Sequence, residues 1–120
     1  MANILVVDDM DNQREQLSEL LESAGHHVVG QAADGEEALA RYDELKPDLV
    51  TMDISMPGMD GITAARKLSA RDKNARIIMI TCHGESEIMY DAVAVPGVVE
   101  FLTKPLAREV LSSVLARVAG

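Results

Sequence analysis

Short apolar runs alternate with amphipathic stretches along the whole chain. Runs at residues 4–7, 28–32, 49–52, 76–81 and 99–102 have the length and composition of buried β-strands. Apolar residues recur at helical spacing in the stretches that follow, at residues 13–24, 38–45, 62–68, 85–95 and 110–118. Glycine, proline and aspartate lie at the boundaries between these segments, and Asp60-Gly61 can cap the third helix. The pattern therefore predicts five successive strand–helix units.

Strand–helix alternation with short connections favours parallel strands joined by right-handed crossovers. Five units are too few to close an eight-stranded barrel. We therefore predict an α/β fold with an open, doubly wound, five-stranded parallel sheet and five helices on its two faces. The apolar stripe over residues 85–95 is poor and Pro96-Gly97 ends it early, so we expect that helix to be short or mobile. The 120 residues predict a single domain over 1–120.

Composition narrows the classes of partner. The chain has no Trp, one Phe and two Tyr among 48% hydrophobic residues, so the core must be aliphatic. The formal net charge of −9 argues against binding to nucleic acid or to anionic membranes. The N-terminus has no basic region before its apolar run, and no stretch approaches a membrane span. These features predict a cytoplasmic protein without nucleic-acid or membrane partners.

Reactive side chains follow four of the predicted strands. Asp8 and Asp9 follow the first strand, Asp53 the third, Thr81 ends the fourth and Lys104 follows the fifth. Ligands of open α/β sheets bind at the carboxyl ends of the strands, so these groups are expected to converge.

Crowded carboxylates need a cation. Two of them about 4 Å apart near a surface repel by roughly 4 kcal/mol at an effective dielectric constant near 20. Oxygen-only ligands suit Mg²⁺, which would also neutralise an incoming phosphoryl group. A carboxylate can accept that group as an acyl phosphate, while Lys104 and the Thr81 hydroxyl would each pair with a phosphoryl oxygen.

The motifs around these residues resemble one family. The run Asp-Leu-Val-Thr-Met-Asp-Ile-Ser-Met-Pro-Gly-Met-Asp-Gly at 48–61 resembles the phosphoacceptor signature of response-regulator receiver domains. Val-Val-Asp-Asp at 6–9, Thr81 and Lys104-Pro105 resemble the other fixed points of that family, in the same order. The resemblance is closest to stand-alone, CheY-like members and implies the flavodoxin-like strand order 2-1-3-4-5.

The resemblance also implies roles at the predicted site. Asp53 would be the phosphoacceptor, and Mg²⁺, with Mn²⁺ as an alternative ion, would be held by Asp8, Asp9, Asp53 and the backbone carbonyl of Ser55. Lys104 would be the phosphate partner, followed by a cis peptide bond before Pro105. The chain would catalyse its own phosphorylation and dephosphorylation, without being a conventional turnover enzyme.

Further implied roles concern switching and partners. Thr81 would be the switch hydroxyl and Phe101 the switch aromatic, while Ser55 and His83 would border the phosphoryl group and modulate its hydrolysis. The implied phosphodonor is a sensor histidine kinase or a small acyl phosphate, and the output is binding of a downstream protein by a monomer. Flagellar motor control, a multi-step phosphorelay and kinase regulation remain open as outputs.

Two alternative functions remain open at this stage. The first is a phosphorylation-independent docking module that keeps the fold and has lost the switch. The second is a phosphatase similar to the haloacid dehalogenases, because Asp9-Met10-Asp11 contains the Asp-x-Asp of that class. In that case Asp9, and not Asp53, would be the nucleophile.

Overall fold

The computed structural model describes residues 1–82, 92 and 94–118 of the chain. Within these residues the chain forms five strands and four helices. The strands are β1 (Asn3–Val7), β2 (His27–Ala32), β3 (Leu49–Asp53), β4 (Ile77–Thr81) and β5 (Val98–Thr103). The helices are α1 (Asp11–Ser23), α2 (Gly35–Leu45), α3 (Gly61–Arg71) and α4 (Arg108–Val118).

The five strands form one parallel sheet in the order β2-β1-β3-β4-β5. The predicted α/β fold and the flavodoxin-like strand order are therefore confirmed. Strand order reverses between β1 and β3, which places the carboxyl ends of these two neighbouring strands at the crevice where such sheets bind ligands.

Alternate residues of the strands enter two separate cores. Leu5 and Val7 of β1 belong to the core cluster that α2 and α3 cover. Ile4 and Val6 belong to the cluster on the other face, which α1 and α4 cover. A fully buried aliphatic side chain contributes about 1.5–3 kcal/mol. Because the central strands β1, β3 and β4 are buried on both faces, they appear in the sequence as largely apolar runs.

Helices α2 and α3 begin before the apolar stripes that predicted them, because aspartates cap their first turns. The Asp34 carboxylate accepts a hydrogen bond from the Glu37 N–H at 2.8 Å, and the Asp60 carboxylate accepts one from the Thr63 N–H at 2.8 Å. Such caps satisfy N–H groups that have no partner within the helix.

The helix predicted over residues 85–95 lies mostly outside the described residues, and so does His83. The turn that follows is described. The Gly97 N–H donates to Ser69 Oγ at 3.1 Å, and a Cβ at Gly97 would lie 2.5 Å from that oxygen.

In β5, Val98 pairs with Ile77 and Glu100 pairs with Ile78, so Val99 is left at an irregularity in the register.

Candidate functional site

Three carboxylates converge at the carboxyl edge of the sheet. Asp8 and Asp9 directly follow β1, and Asp53 is the last residue of the neighbouring strand β3. One carboxylate oxygen from each of these residues lies within 4.8 Å of the other two. Asp8 and Asp53 are buried, whereas Asp9 is half-buried. The three side chains therefore form one acidic cluster with access to solvent.

The Asp53 carboxylate is incompletely satisfied by the protein. Its Oδ1 atom is buried and makes no hydrogen bond to any part of the chain that the structure describes. Burial raises the pKa of Asp53 to about 6; the nearby Lys104 ammonium opposes this shift, and the negative charge of Asp8 adds to it. An ionised carboxylate in these surroundings carries a desolvation cost that a bound cation would offset.

Lys104 lies beside the acidic cluster. Its Nζ is 3.1 Å from Asp8 Oδ2 and 3.5 Å from Asp53 Oδ2, and it donates a hydrogen bond of 2.5 Å to Gln13 Oε1. Burial alone would lower the pKa of Lys104, but the hydrogen bond to Asp8 and the charges of Asp53 and Asp8 outweigh burial and raise it. The ammonium therefore stays protonated. Its 3.5 Å contact with Asp53 is longer than an ordinary charge-assisted hydrogen bond.

Arg14 fixes the loop that carries the acidic pair. Its guanidinium donates to the backbone carbonyl of Asp8 at 2.7 Å, to Asp11 Oδ1 at 2.7 Å and to Gln31 Oε1 at 3.0 Å. The Met10 N–H donates to Asp8 Oδ1 at 2.9 Å. These bonds join the end of β1 to α1 and β2, so the position of Asp8 is set by three elements.

Gly61 allows the chain after β3 to fold back against Asp53. The Gly61 N–H donates to the carbonyl of Ile54 at 2.9 Å. A Cβ at Gly61 would lie 2.1 Å from the Asp53 carbonyl oxygen and 2.8 Å from Ile54 Cα, and both of these are backbone atoms. The first residue of α3 thus packs directly on the backbone of the predicted phosphoacceptor.

Thr81 ends β4 and is buried, with 1% of its surface exposed. Its hydroxyl donates to the carbonyl of Cys82 at 3.1 Å, and its own carbonyl accepts from the Lys104 N–H at 2.9 Å. The peptide bond between Lys104 and Pro105 is cis. The ends of β4 and β5 are therefore joined next to the acidic cluster.

Two of the remaining predicted residues, Ser55 and Phe101, are described by the structure. Ser55 is exposed on the loop after β3, two residues beyond Asp53. Phe101 of β5 is half-buried and packs against the core cluster on the α2–α3 face of the sheet. His83, the other predicted modulator, is not among the described residues.

Sequence reasoning overlooked three residues of this region, namely Gln13, Arg14 and Gly61. From the sequence, Gln13 and Arg14 were predicted only to lie at the start of a helix, and Gly61 only to belong to a helix cap. The one available signal was position: both polar side chains lie four to six residues after Asp8-Asp9, within the first turns of α1.

The ligand set fits a hard divalent cation. Asp8, Asp9 and Asp53 supply only oxygen atoms, which Mg²⁺ prefers. The buried Asp53 Oδ1 atom has no protein partner within residues 1–82, 92 and 94–118, so a ligand position is available. The geometry of the acidic cluster and the chemistry of its oxygen donors therefore both fit Mg²⁺.

Asp11 is placed differently from the three clustered carboxylates. Its side chain is 88% exposed and pairs with Arg14 at 2.7 Å. The phosphatase alternative needs Asp11 to act together with Asp9, whereas the structure groups Asp9 with Asp8 and Asp53. The arrangement therefore favours the receiver-domain interpretation.

Comparisons with known proteins agree with this arrangement. The chain matches the family described as response regulator receiver domain over residues 4–116. Protein CcdB of Bacillus subtilis is 40% identical over 120 residues, covering 100% of this chain and 99% of that protein. Chemotaxis protein CheY of Thermotoga maritima is 41% identical over 102 residues, covering 85% of this chain and 84% of that protein.

Solved structures lead to the same family. A chain in the CheX-CheY-BeF3-Mg complex from Borrelia burgdorferi superposes with a TM-score of 0.87 at 41% identity, covering 96% of this chain and 87% of that one. In the described residues, no helix combines the length and apolar character needed to cross a membrane. This chain belongs to the response-regulator receiver domains and is a response regulator of a two-component signalling system.

Proposed function

We propose that the chain accepts a phosphoryl group on Asp53 in a Mg²⁺-dependent reaction and thereby changes its affinity for a downstream protein. The observation that carries this proposal is the convergence of Asp8, Asp9 and Asp53 within 4.8 Å, with Lys104 Nζ 3.5 Å from Asp53 Oδ2. Membership of the receiver family supports a sensor histidine kinase, or a small acyl phosphate, as the donor.

The carboxylates of Asp8, Asp9 and Asp53 and the backbone carbonyl of Ser55 would hold the ion. When bound, Mg²⁺ supplies positive charge that neutralises the phosphoryl oxygens and the carboxylate during transfer. Mn²⁺ is an alternative because carboxylate and carbonyl oxygens suit it as well. The related complex from Borrelia burgdorferi contains Mg²⁺ and BeF₃, which supports this ligand chemistry.

Asp53 acts as the nucleophile. One of its carboxylate oxygens attacks the phosphorus of the donor, so that a P–O bond forms and the P–N bond of a phosphohistidine breaks, its electron pair remaining on the imidazole nitrogen. The product is an acyl phosphate on Asp53. Water attack at phosphorus then restores the carboxylate and releases inorganic phosphate, so the chain catalyses its own modification.

Lys104 and Thr81 convert this modification into a change of conformation. Phosphorylation adds a charge of about −1.5 to −2 with strong acceptor oxygens, which favours pairing with the Lys104 ammonium. The Thr81 hydroxyl leaves the Cys82 carbonyl for a phosphoryl oxygen, and Phe101 moves inward behind it. Ser55 would border the phosphoryl group and tune its hydrolysis, and the same modulating role is proposed for His83 from the family resemblance alone.

The output is binding of a protein partner by a monomeric receiver domain formed by residues 1–120. Relatives named chemotaxis protein CheY in Thermotoga maritima, Bacillus subtilis and Treponema pallidum support chemotactic signalling as the pathway. The net charge of −9 supports a protein partner over nucleic acid.

Phosphosite mapping by mass spectrometry after treatment with acetyl phosphate tests the proposal. In Mg²⁺ we expect one phosphoryl group on Asp53, and in excess EDTA none. Asp53→Asn should abolish the label, whereas the matched control Glu19→Gln, which removes an exposed carboxylate of α1 outside the cluster, should retain it. A label on Asp9 would support the phosphatase instead. Partner binding that is identical with and without acetyl phosphate would support the docking module.

A further inference from the structure

A groove of about 500 Å³ separates α1 from the segment that follows β5. Gln13 and Lys104 both line it, and so does Asp8 of the acidic cluster. Gln13 is half-buried on the first turn of α1, next to Arg14, whose bonds to Asp8, Asp11 and Gln31 fix that turn. The Gln13 side chain therefore extends from a well-anchored position.

The Lys104 ammonium has three N–H donors and three neighbouring acceptors. The bond to Gln13 Oε1 is 2.5 Å long, compared with 3.1 Å to Asp8 Oδ2 and 3.5 Å to Asp53 Oδ2. Of these acceptors, only Gln13 is uncharged and outside the acidic cluster. The ammonium is thus shared between Gln13 of α1 and the acidic cluster, and its longest contact is the one to the predicted nucleophile.

We propose that Gln13 is a positioning residue that holds Lys104 at the outer side of the acidic cluster, so that a divalent cation can occupy the cluster while the ammonium stays within reach of a phosphoryl group. This inference rests on the proposed function of Asp53. It assigns to the first turn of α1 a role in ion binding that acts through Lys104.

Competition for the same oxygens gives the physical reason. Charge-assisted N–H···O bonds are about 2.7–2.9 Å long, so the 3.5 Å contact between Lys104 and Asp53 leaves room for a closer ion pair. Without an acceptor at position 13, the best partners left to the ammonium are the carboxylates of Asp8 and Asp53. A tighter pair there would occupy the oxygens that the ion needs and would partly neutralise the nucleophile.

Replacement of Gln13 by a side chain without a comparable acceptor tests this idea. Gln13→Met keeps the length of the side chain and a good helix former. The matched control is Gln16→Met, since Gln16 lines the same groove on the same helix but is exposed. Affinity for Mg²⁺ alone is measured by titration of the melting temperature and by isothermal calorimetry. Gln13→Met should raise the Kd for Mg²⁺ about 3- to 10-fold, and Gln16→Met should leave it unchanged.

A double-mutant cycle separates positioning from a general structural effect. In a Lys104→Met background the ammonium is absent, so Gln13→Met should have no further effect on the Kd for Mg²⁺. The same loss of affinity in both backgrounds, or no loss in either, would overturn the proposal. Gln13→Ala, measured in the same way, provides a second variant if Gln13→Met folds poorly.

The failure of this inference is distinguishable from the failure of the proposed function. If the unmodified chain shows no Mg²⁺-dependent label on Asp53, the proposed function fails and the inference fails with it. If Asp53 is labelled normally and Gln13→Met binds Mg²⁺ as the unmodified chain does, only the role of Gln13 is wrong.

Discussion

Asp53 is a buried carboxylate that is repelled by a second carboxylate and makes only a long contact with the nearest positive charge. Its carboxylate is buried next to Asp8, and the Lys104 ammonium lies 3.5 Å away. Without a cation, this residue therefore lowers the stability of the fold at neutral pH. Such a conflict between local stability and side-chain choice is expected at functional sites.

The pH dependence of stability follows from the raised pKa. The pKa of Asp53 is about 6 in the folded chain, above its ordinary value of 3.8. The folded state therefore binds this proton more tightly than the unfolded state, so the destabilisation is present above pH 6 and is relieved as the pH falls towards 4. In EDTA at pH 7.5, Asp53→Asn should be more stable by about 1–2 kcal/mol once solvent screening is allowed for.

The measurement is urea denaturation of both proteins from pH 4.5 to 7.5, with Glu19→Gln as the control for removal of one exposed negative charge. The stability gap between Asp53→Asn and the unmodified chain should shrink as the pH falls. A gap that is constant across this range, or a less stable Asp53→Asn at pH 7.5, would contradict the electrostatic account.

Single residues also show where sequence reasoning succeeds and where it stops. The convergence of Asp8, Asp9 and Asp53 was predictable because each follows or ends a strand, and strand ends share one edge of a parallel sheet. The contact of Gln13 with Lys104 was not predictable, because it depends on how α1 is rotated about its axis against the sheet. The switching role of Phe101 and the modulating roles of Ser55 and His83 remain predictions.

At the scale of elements, the geometry of the site depends on the short connections that link each strand to the next helix. The loop after β3 returns so closely that the first residue of α3 lies against the Asp53 backbone. A side chain at Gly61 would overlap backbone atoms, which have no alternative rotamer. The β3–α3 connection therefore helps to position Asp53, the predicted nucleophile.

Gly61→Ala should consequently destabilise the fold by about 1–3 kcal/mol, the usual range for overpacking, and weaken binding of Mg²⁺ as the loop shifts. Urea denaturation and Mg²⁺ titration measure the two effects. Gly35→Ala is a matched control, because Gly35 is also the first residue of its helix and its nearest atoms, all in Met59, lie at 3.0 Å. Equal stability losses in the two variants would show that the close approach at Gly61 is unimportant.

The elements themselves were largely predictable. Each of the five strands and four of the five expected helices occur in the described residues, because both cores are filled by short apolar runs and regular stripes. Helix α2 starts earlier than its stripe, since capping by Asp34 adds polar residues that carry no periodic signal, whereas the cap predicted at Asp60-Gly61 for the third helix is confirmed. The remaining predicted helix lies over residues 85–95, mostly outside the described part of the chain.

At the scale of the whole molecule, the two faces of the sheet stabilise the fold and its carboxyl edge carries the acidic cluster. The core clusters use alternate residues of the same strands, so the sheet holds the strand ends in fixed register. Three carboxylates at that edge are tolerated because the fold is stabilised elsewhere. A divalent ion that binds the folded state alone should therefore add stability to the entire domain.

Titration of the melting temperature with Mg²⁺ tests most directly whether the carboxylates of Asp8, Asp9 and Asp53 share one ion. The melting temperature of the unmodified chain should rise with Mg²⁺ concentration, and an ion at a hundred times its Kd should add about 2.7 kcal/mol. Glu19→Gln, which removes an exposed charge of α1, should show the same rise, whereas Asp9→Ala and Asp53→Ala should begin at a higher melting temperature in EDTA and respond only weakly. A melting temperature of the unmodified chain that does not change with Mg²⁺ would contradict the shared ion site.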